Sequence, residues 1–229
     1  MNGLATAPCC QATEIGVKAA AMLIITPRIT LRDFECADRA SFVAYQLDPR
    51  YRRLYDFDED PIRAGDLFEL FASWQDEKPR INHQVGLFDT ATGRLCGCVG
   101  LRQRPDDPAT AVLGVELAPR DWGRYRIALD AVVCLVEFGF DTLHLETIIG
   151  ITASGNKRVA KLARWFGARI VDRRAGPEWM AARGWQEVDW ALTRNEWRRS
   201  DHWRERRTNS PFEPAGSHRS DRDAPTACR

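Results

Sequence analysis

Three positions in the middle of the chain have residue types and settings that could support acid–base and phosphate chemistry. Glu116 is a carboxylate near the end of an apolar strand pattern that stops at Pro119. Gly123 lies just before an amphipathic helix pattern, and bare backbone N–H groups at a helix N-terminus bind phosphate well. Asn156 opens a second helix pattern, which Gly167 ends. One continuous segment therefore offers a proton acceptor and an anion-binding loop.

The segment after Gly123 is basic and could bind an anion through side chains as well as through the backbone. Arg124 and Arg126 flank Tyr125, and a guanidinium donates charged hydrogen bonds to phosphate oxygens. The alternative is that both arginines simply begin a solvated helix, because basic side chains are usually exposed. The sequence leaves both interpretations open.

Positioning these residues requires a sheet with helices against it. Alternating apolar residues and turn signals predict strands, the first an edge strand, over Leu23–Phe34, Gln84–Phe88, Arg94–Arg102, Ala111–Leu117, His144–Ile151, Ala168–Asp172 and Trp185–Thr193. Helical periodicity predicts helices over Ala37–Leu47, Asp66–Trp74, Ile127–Phe140 and Asn156–Phe166. The polar, aromatic stretch Asp48–Pro61 is predicted to be a loop.

The order of strand, glycine-containing loop, helix, strand and Asn-led helix between Glu116 and Gly167 resembles the acyl-CoA-binding core of the GNAT superfamily of N-acetyltransferases. The spacing from Asn156 to Gly167 is similar to that family's N-x-x-S…G-F pattern, and Ala128 stands where the family usually has Ala. The resemblance covers residues 24–197. It implies an α/β (α+β) fold, in which a mixed, mostly antiparallel central sheet is flanked by helices and contains a splayed pair of parallel strands.

The resemblance also implies a site for acetyl-CoA as co-substrate. In that family the strand before the first core helix pairs with the pantetheine arm, a role that would fall here to Leu117 and Ala118. Asn156 would also bind pantetheine, although an Asn at this point is equally an ordinary helix N-cap. The residues expected to contact the pyrophosphate are those of the loop and the helix start: Gly123, Arg124, Tyr125, Arg126 and Ala128.

Within the resemblance, Glu116 is the expected catalytic base, acting directly or through water, because acetyl transfer needs a neutral amine. A backbone N–H near Leu117 would stabilise the oxyanion. A strand carboxylate can equally be salt-bridged or solvent-facing. Tyr125 replaces the usual small residue of the loop, and Val159 replaces the usual Ser. These departures leave open a non-catalytic acyl-CoA-binding module.

The segments Thr26–Arg32 and Asp189–Trp197 are similar to the branch that contains the ribosomal-protein N-terminal (Rim-type) acetyltransferases. This similarity implies a primary amine as the acceptor, with a protein N-terminus as one class. A small amine, an antibiotic or an aminoacyl-tRNA on the same fold is the alternative. The residues expected to contact the acceptor are Tyr51, Arg53 and Tyr55.

Composition limits the remaining function classes. The 229 residues, 44% of them hydrophobic, can bury one sizeable core. No apolar run approaches the roughly 20 residues that span a bilayer, so we expect a cytoplasmic protein with no membrane partner. A formal net charge of +1 disfavours nucleic acid as a partner. The sequence leaves a homodimer open.

The seven cysteines are scattered and fit neither a disulfide framework nor a zinc site, so packed thiols and no metal are expected. Cys96 and Cys98 would share one face of a strand. His83 and His144 have no companion residues and receive no role. The expected organisation is a flexible extension (residues 1–22), an N-acetyltransferase domain (23–200) and a disordered tail (201–229).

Overall fold

The computed structural model describes residues 21–55 and 61–200, without the side chains at positions 54, 55, 61 and 62. Almost all of the predicted extension, and all of the predicted tail, lie outside these ranges. Of the extension, the structure describes Ala21, which is exposed, and Met22, which is part of the fold. Its side chain is buried in the core, and its backbone N–H donates to the carboxylate of Asp33 (2.9 Å). Met22 therefore belongs with the first strand rather than with the extension.

Eight strands form a single sheet in the order β1-β2-β3-β4-β5-β6-β8-β7. Their bounds are β1 (Leu23–Ile25), β2 (Ile29–Arg32), β3 (Asn82–Asp89), β4 (Leu95–Arg104), β5 (Asp107–Leu117), β6 (Thr147–Ala153), β7 (Arg169–Ala175) and β8 (Gln186–Thr193). Every neighbouring pair is antiparallel except β5 and β6, which are parallel. The sheet is therefore mixed and mostly antiparallel, which confirms the predicted fold class.

Helices cover both faces of the sheet. They are α1 (Arg39–Gln46), α2 (Pro49–Tyr55), α3 (Pro61–Ser73), α4 (Tyr125–Glu137), α5 (Lys157–Trp165), α6 (Glu178–Ala181) and α7 (Arg194–Arg199). The predicted loop Asp48–Pro61 is wrong in its first half, because α2 occupies it. A proline at the first helical position favours this start, since its φ is already helical. Within the described ranges, no helix has the length and apolar character needed to cross a membrane.

Each face of the sheet has its own core. On one face, α4 packs over aliphatic side chains of β2 to β6, among them Leu31, Val99 and Ile148. On the other, α1 and α3 form an aromatic core with the ring of Phe42 at its centre. The rings of Phe34, Tyr45, Phe68 and Phe71 lie with centroids 5.2–5.9 Å from that ring. Burial of each such side chain is worth about 1.5–3 kcal/mol, so this core fixes α1 on the sheet.

Turns interrupt one predicted strand and shorten another. The predicted strand Leu23–Phe34 is two strands, because a turn in which the Thr26 N–H bonds to the Ile29 carbonyl (2.8 Å) separates β1 from β2. The predicted strand beginning at His144 starts only at Thr147, because His144 adopts a positive φ of 56°. A π-helical turn that extends α4 ends just before it.

A β-bulge in β4 interrupts the alternation of its side chains between the two faces of the sheet. In the ladder with β3, Leu87 pairs with Gly97, but the next residue pairs with Leu95. Cys96 is the extra residue, and it packs in the aliphatic core under α4. Cys98 packs in the aromatic core on the opposite face. The predicted shared face of the two cysteines is therefore wrong, since strand alternation does not carry across a bulge.

Candidate active site

Glu116 is held on the aromatic face of the sheet by three neutral donors. Its Oε2 accepts hydrogen bonds from the Tyr45 hydroxyl (3.2 Å), the Gln46 amide (3.0 Å) and the Cys98 thiol (3.5 Å). The other oxygen, Oε1, accepts no hydrogen bond from a described residue, and no described cation pairs with this carboxylate. One oxygen is thus fixed in place while the other is left to bind a proton.

The elements around Glu116 explain this convergence. The register of β4 with β5 sets Cys98 directly across from Glu116, where cross-strand side chains meet. Helix α1 ends over these two strands and brings Tyr45 and Gln46 to the carboxylate. The Gln46 amide also lies 3.4 Å from the Tyr51 hydroxyl, so α2 is tied to the same network.

Tyr45 and Cys98 keep their protons at neutral pH. Burial, and then the neighbouring Cys98 and Glu116, raise the pKa of the Tyr45 hydroxyl well above its ordinary value. Burial and the Glu116 carboxylate raise the pKa of the Cys98 thiol well above its ordinary value too. Both groups therefore remain donors to Glu116, because loss of either proton would place a second negative charge beside it.

Gly97 allows the backbone of Glu116 to approach β4 closely. Gly97 has a φ of 152°, and a Cβ built on it would overlap the carbonyl oxygen of Glu116. Only glycine fits this contact without a shift of one strand. The bulge therefore sets the position of Glu116 relative to the donors on α1.

An opening separates the last residues of β5 and β6. The parallel ladder joins Thr110–Leu113 to Thr147–Gly150 and stops there. Beyond this point β5 pairs only with β4, and β6 only with β8. Because alternate peptide groups of a strand point to each side, the end of β5 presents backbone donors and acceptors to the opening. This geometry is the splayed parallel pair that the sequence predicted.

The loop between β5 and α4 is anchored by a buried carboxylate. Asp121 is 1% exposed and accepts two hydrogen bonds from Arg94 (2.7 and 2.8 Å) and one from Arg124 (2.8 Å). A third guanidinium, that of Arg120, lies 3.7 Å away. Although burial opposes it, the bonds from Arg94 and Arg124 hold the pKa of Asp121 below its ordinary value. Arg124, expected to contact phosphate, is thus already bonded to Asp121.

The same loop leaves backbone N–H groups free at the start of α4. The N–H groups of Gly123 and Arg126 have no backbone acceptor among the described residues. Gly123 has a φ of 89°, and nothing lies within 4 Å of where its Cβ would be. The Arg126 side chain is exposed and forms no ion pair within the described ranges. Free amides, a helix N-terminus and a guanidinium together suit a phosphate group.

This geometry agrees with what sequence comparison finds. A sequence profile described as the acetyltransferase (GNAT) domain matches residues 28–169 of the chain. The chain belongs to the GNAT acetyltransferase family. GNAT acetyltransferases generally use acetyl-CoA, and the opening beside β5 and the free amides at α4 fit that co-substrate.

Solved structures place the GNAT domain in the same fold. An acetyltransferase from Agrobacterium tumefaciens is 22% identical, with a TM-score of 0.60 over 80% of this chain and 100% of its own. A candidate ribosomal-protein-serine acetyltransferase from Vibrio cholerae is 19% identical, with a TM-score of 0.59 over 75% and 97%. A spermidine N-acetyltransferase chimera from Vibrio cholerae and hSSAT is 18% identical, with a TM-score of 0.62 over 76% and 99%. At these identities the likeness shows the fold alone.

The remaining residues predicted to bind the coenzyme lie along the opening and the two helix starts. Leu117 packs against the aliphatic core, and the Ala118 N–H bonds to the Cys96 carbonyl (2.8 Å) within the sheet. Ala128 lies half-buried on α4, while Tyr125 is exposed at its start. Their contacts with acetyl-CoA stay predictions.

Asn156 is the N-cap of α5, which is one of the two roles predicted for it. Its Oδ1 accepts the N–H of Val159 (3.2 Å). This bond confirms the N-cap interpretation. It uses only the oxygen of the side chain, so the amide nitrogen is still compatible with a pantetheine contact, which stays a prediction.

The residues predicted to contact the acceptor do not share one environment in the structure. Tyr51 is buried in the aromatic core, with its ring centroid 5.7 Å from that of Tyr45. Arg53 is exposed on α2, and its carbonyl accepts from Arg183 (3.3 Å). The side chain of Tyr55 lies outside the described part of the protein. Tyr51 is therefore linked to Glu116 through Tyr45 and Gln46, which both bond to that carboxylate.

Sequence reasoning missed four residues that build the site. Tyr45 and Gln46 follow Phe42 on a helix whose apolar spacing was visible, but their polar contacts depend on how α1 crosses the sheet. Asp121 and Arg94 are far apart in the chain and look like ordinary surface charges. The signal available was Asp121 beside the glycine loop, in the segment already assigned to phosphate.

The two histidines that the structure describes, His83 and His144, have structural settings. His83 is buried with its ring 5.3 Å from that of Phe138, and burial, then nearby Arg80, lower its pKa to about 4. His144 occupies the turn before β6. Within the described residues, no three His, Cys, Asp or Glu side chains converge as metal ligands.

Proposed function

We propose that this GNAT domain transfers the acetyl group of acetyl-CoA to a primary amine, with Glu116 as the proton acceptor. The observation that carries this proposal is how the Glu116 carboxylate is hydrogen-bonded. One of its oxygens is fixed by three neutral donors, and the other is unbonded within the described residues. A carboxylate so held, on the strand that borders the opening, suits general base catalysis.

The chemistry follows from what each group can do. The acceptor amine must lose a proton to attack, and Glu116 takes that proton directly or through water. As the C–N bond forms and the C–S bond breaks, the carbonyl oxygen gains charge, which a backbone N–H near Leu117 would stabilise. Acetyl-CoA supplies the acetyl group, and coenzyme A leaves as a thiolate that takes a proton from water. The amides of Gly123 and Arg126, the Arg126 side chain and the Asn156 amide would hold the coenzyme.

The acceptor that we favour is the amine of a protein N-terminus. The resemblance of Thr26–Arg32 and Asp189–Trp197 to the Rim-type branch supports this choice, as does the likeness to the candidate ribosomal-protein-serine acetyltransferase. The connection from α2 to α3, residues 56–60, carries four carboxylates in its sequence Asp-Phe-Asp-Glu-Asp. The acidic residues that follow α2 in the sequence would attract a cationic amine.

A small polyamine is the second candidate, and the same acidic run favours it. A polyamine carries several positive charges and needs several carboxylates, which residues 56–60 could supply. The likeness to a spermidine N-acetyltransferase chimera agrees with this candidate. A non-catalytic module is the third, and it would bind acetyl-CoA without turnover.

Calorimetric titration with acetyl-CoA tests the coenzyme site first. Gly123→Trp should weaken binding because its side chain would fill the space beside the free amides. Asn156→Ala and Asn156→Ser separate two roles, since Ser keeps the helix cap and loses the amide nitrogen. Weaker binding by both Asn156 variants supports the pantetheine contact. Weaker binding by Asn156→Ala alone assigns Asn156 to the cap, and no binding by folded wild type contradicts the proposal.

An acceptor panel then identifies the amine. The panel contains a peptide with a free N-terminus, the same peptide with a blocked N-terminus, and spermidine, and acetylation is read by mass spectrometry. We expect the free peptide to be modified at its α-amine and the blocked peptide to be unmodified. Acetylation of spermidine alone would show that the acceptor is a polyamine and not a protein N-terminus. Tight binding of acetyl-CoA without transfer to any of a broad range of amines would leave the non-catalytic module.

A further inference from the structure

A cavity of ≈ 390 Å³ lies between α5, the end of β6 and the outer strands β7 and β8. It is on the other flank of α5 from the core under α4. Leu162 and Phe166 of α5 pack into that core, whereas Ala160 packs against Val188 and Trp190 of β8 and lines the cavity. The opening between β5 and β6 and this cavity are therefore separate features of the fold.

Unpaired positive charge surrounds the cavity. Lys157, Arg164 and Arg173 line it, and no carboxylate does. None of these three cations forms an ion pair with a residue in the described ranges. The next residue of β7 behaves differently, because Arg174 pairs with Glu187 and Asp189 on the opposite face of the sheet. The cavity thus concentrates cations whose counter-charges the fold does not supply.

Two indole rings give the cavity flat apolar walls. Trp190 is buried, and the Arg164 guanidinium lies 5.8 Å from its ring centroid. Trp185 lies so close to Gly155 that a Cβ there would overlap its ring. The indole N–H of Trp190 is also buried without an acceptor in the described part of the chain. The two rings therefore offer flat apolar surface to a planar group.

We propose that this cavity is a second anion site, which takes a flat apolar ring bearing a phosphate monoester. A nucleoside monophosphate is the simplest molecule of that class. The cations match the double negative charge of the phosphate, and guanidinium groups bind phosphate oxygens in pairs. The indole walls suit a planar base, and the volume falls within the range of small-molecule sites. This site goes beyond acetyl transfer and does not rest on it.

Calorimetry on the full chain tests the site with three probes. Adenosine 5′-monophosphate carries both ring and phosphate, adenosine carries the ring alone, and inorganic phosphate carries the charge alone. We expect the monophosphate to bind about tenfold more tightly than either single-feature probe, the ratio that one charge-assisted hydrogen bond supplies. Equal binding of all three probes, or no binding of the monophosphate, overturns the proposal.

Matched variants locate the binding. Arg173→Gln should weaken binding of the monophosphate about tenfold. Arg169→Gln should leave it unchanged, because Arg169 lies on the same strand, pairs with Glu196 and does not line the cavity. Thermal melts confirm that both variants fold. Equal affinity of Arg173→Gln and wild type contradicts the assignment.

Titration with the monophosphate in saturating acetyl-CoA separates a free nucleotide from the nucleotide end of the coenzyme. Independent binding supports a second site. Loss of monophosphate binding assigns the cavity to the coenzyme and overturns the proposal. Monophosphate binding by a chain that does not bind acetyl-CoA would contradict the proposed function while leaving this site intact.

Discussion

Glu116 and Asp121 are carboxylates close together in the chain, and the protein surrounds them in opposite ways. Asp121 is enclosed by the guanidinium groups of Arg94, Arg120 and Arg124. Glu116 is held by a hydroxyl, an amide and a thiol, all uncharged. A carboxylate among cations holds its charge firmly and serves as an anchor. Glu116 has only neutral donors around it, and one of its oxygens accepts no hydrogen bond from a described residue.

The largest effect should come from Glu116→Gln, which removes the proton acceptor and keeps the shape of the side chain. The rate of acetyl transfer should fall about 10²–10⁴-fold, the usual contribution of a positioned general base. Steady-state kinetics measures this loss, and Glu35→Gln at an exposed carboxylate serves as the control. A rate near that of wild type would show that Glu116, like Asp121, has a structural role. The contrast drawn between the two carboxylates would then be wrong.

Asp121→Asn should act on stability instead of chemistry. The change leaves three guanidinium groups facing an uncharged amide, and loss of one partner of a buried ion pair costs about 3 kcal/mol. Chemical denaturation measures the free energy of unfolding, with Asp106→Asn at an exposed ion pair as the control. The loop should also loosen, which would weaken acetyl-CoA binding. Unchanged unfolding would show that the ion pairs do not anchor it.

The pH dependence of unfolding should carry the signature of Asp121. Its pKa in the folded protein lies below the ordinary value of 3.8, so the unfolded chain binds this proton more readily. The stability that Asp121 provides is therefore complete above about pH 5 and is lost as pH falls below about 4. Asp121→Asn should lack that component of the acid-induced loss. Identical acid profiles for the two proteins would contradict the assignment.

Gly97→Ala perturbs the position of Glu116 without changing any group that reacts. The added methyl would overlap the Glu116 carbonyl, and we expect a loss of about 2 kcal/mol in unfolding free energy. The rate should fall as well, because Glu116 would shift from its donors. A thermal melt and a rate measurement on Gly93→Ala, at an open turn glycine, provide the comparison. Wild-type rate with reduced stability would show that the strand adjusts around Glu116.

Tyr45→Phe should have the smallest effect. It removes one of three donors to Glu116 and leaves the ring in the aromatic core, so stability should fall by about 1 kcal/mol. The turnover rate should fall about fivefold, while the KM for acetyl-CoA is unchanged. A change in that KM instead would place Tyr45 with the coenzyme rather than with the base.

The elements of this fold were accessible from the sequence because apolar periodicity is local. The pattern from β5 through α5 was predicted in the right order, and Asn156 was predicted as a possible start of α5, which it caps. The network at Glu116 was not accessible, because it depends on how α1 crosses β4 and β5. The bulge at Gly97 was missed for a similar reason, since strand alternation alone gives no sign of an extra residue. Helix α2 was missed because its composition is that of a loop.

The opening between β5 and β6 also has a mechanical consequence. Four residue pairs, Thr110–Leu113 with Thr147–Gly150, and the hydrogen bond from the Glu146 N–H to the Ala109 carbonyl (2.8 Å) form the backbone seam between the two halves of the sheet in the described ranges. Beyond these pairs no ladder joins β5 to β6 in the described ranges, so the two halves of the sheet can flex relative to each other there. A molecule that hydrogen-bonds to both free edges would lengthen that seam and stiffen the sheet. Amide hydrogen exchange at Ile151–Ala153 would register that stiffening directly.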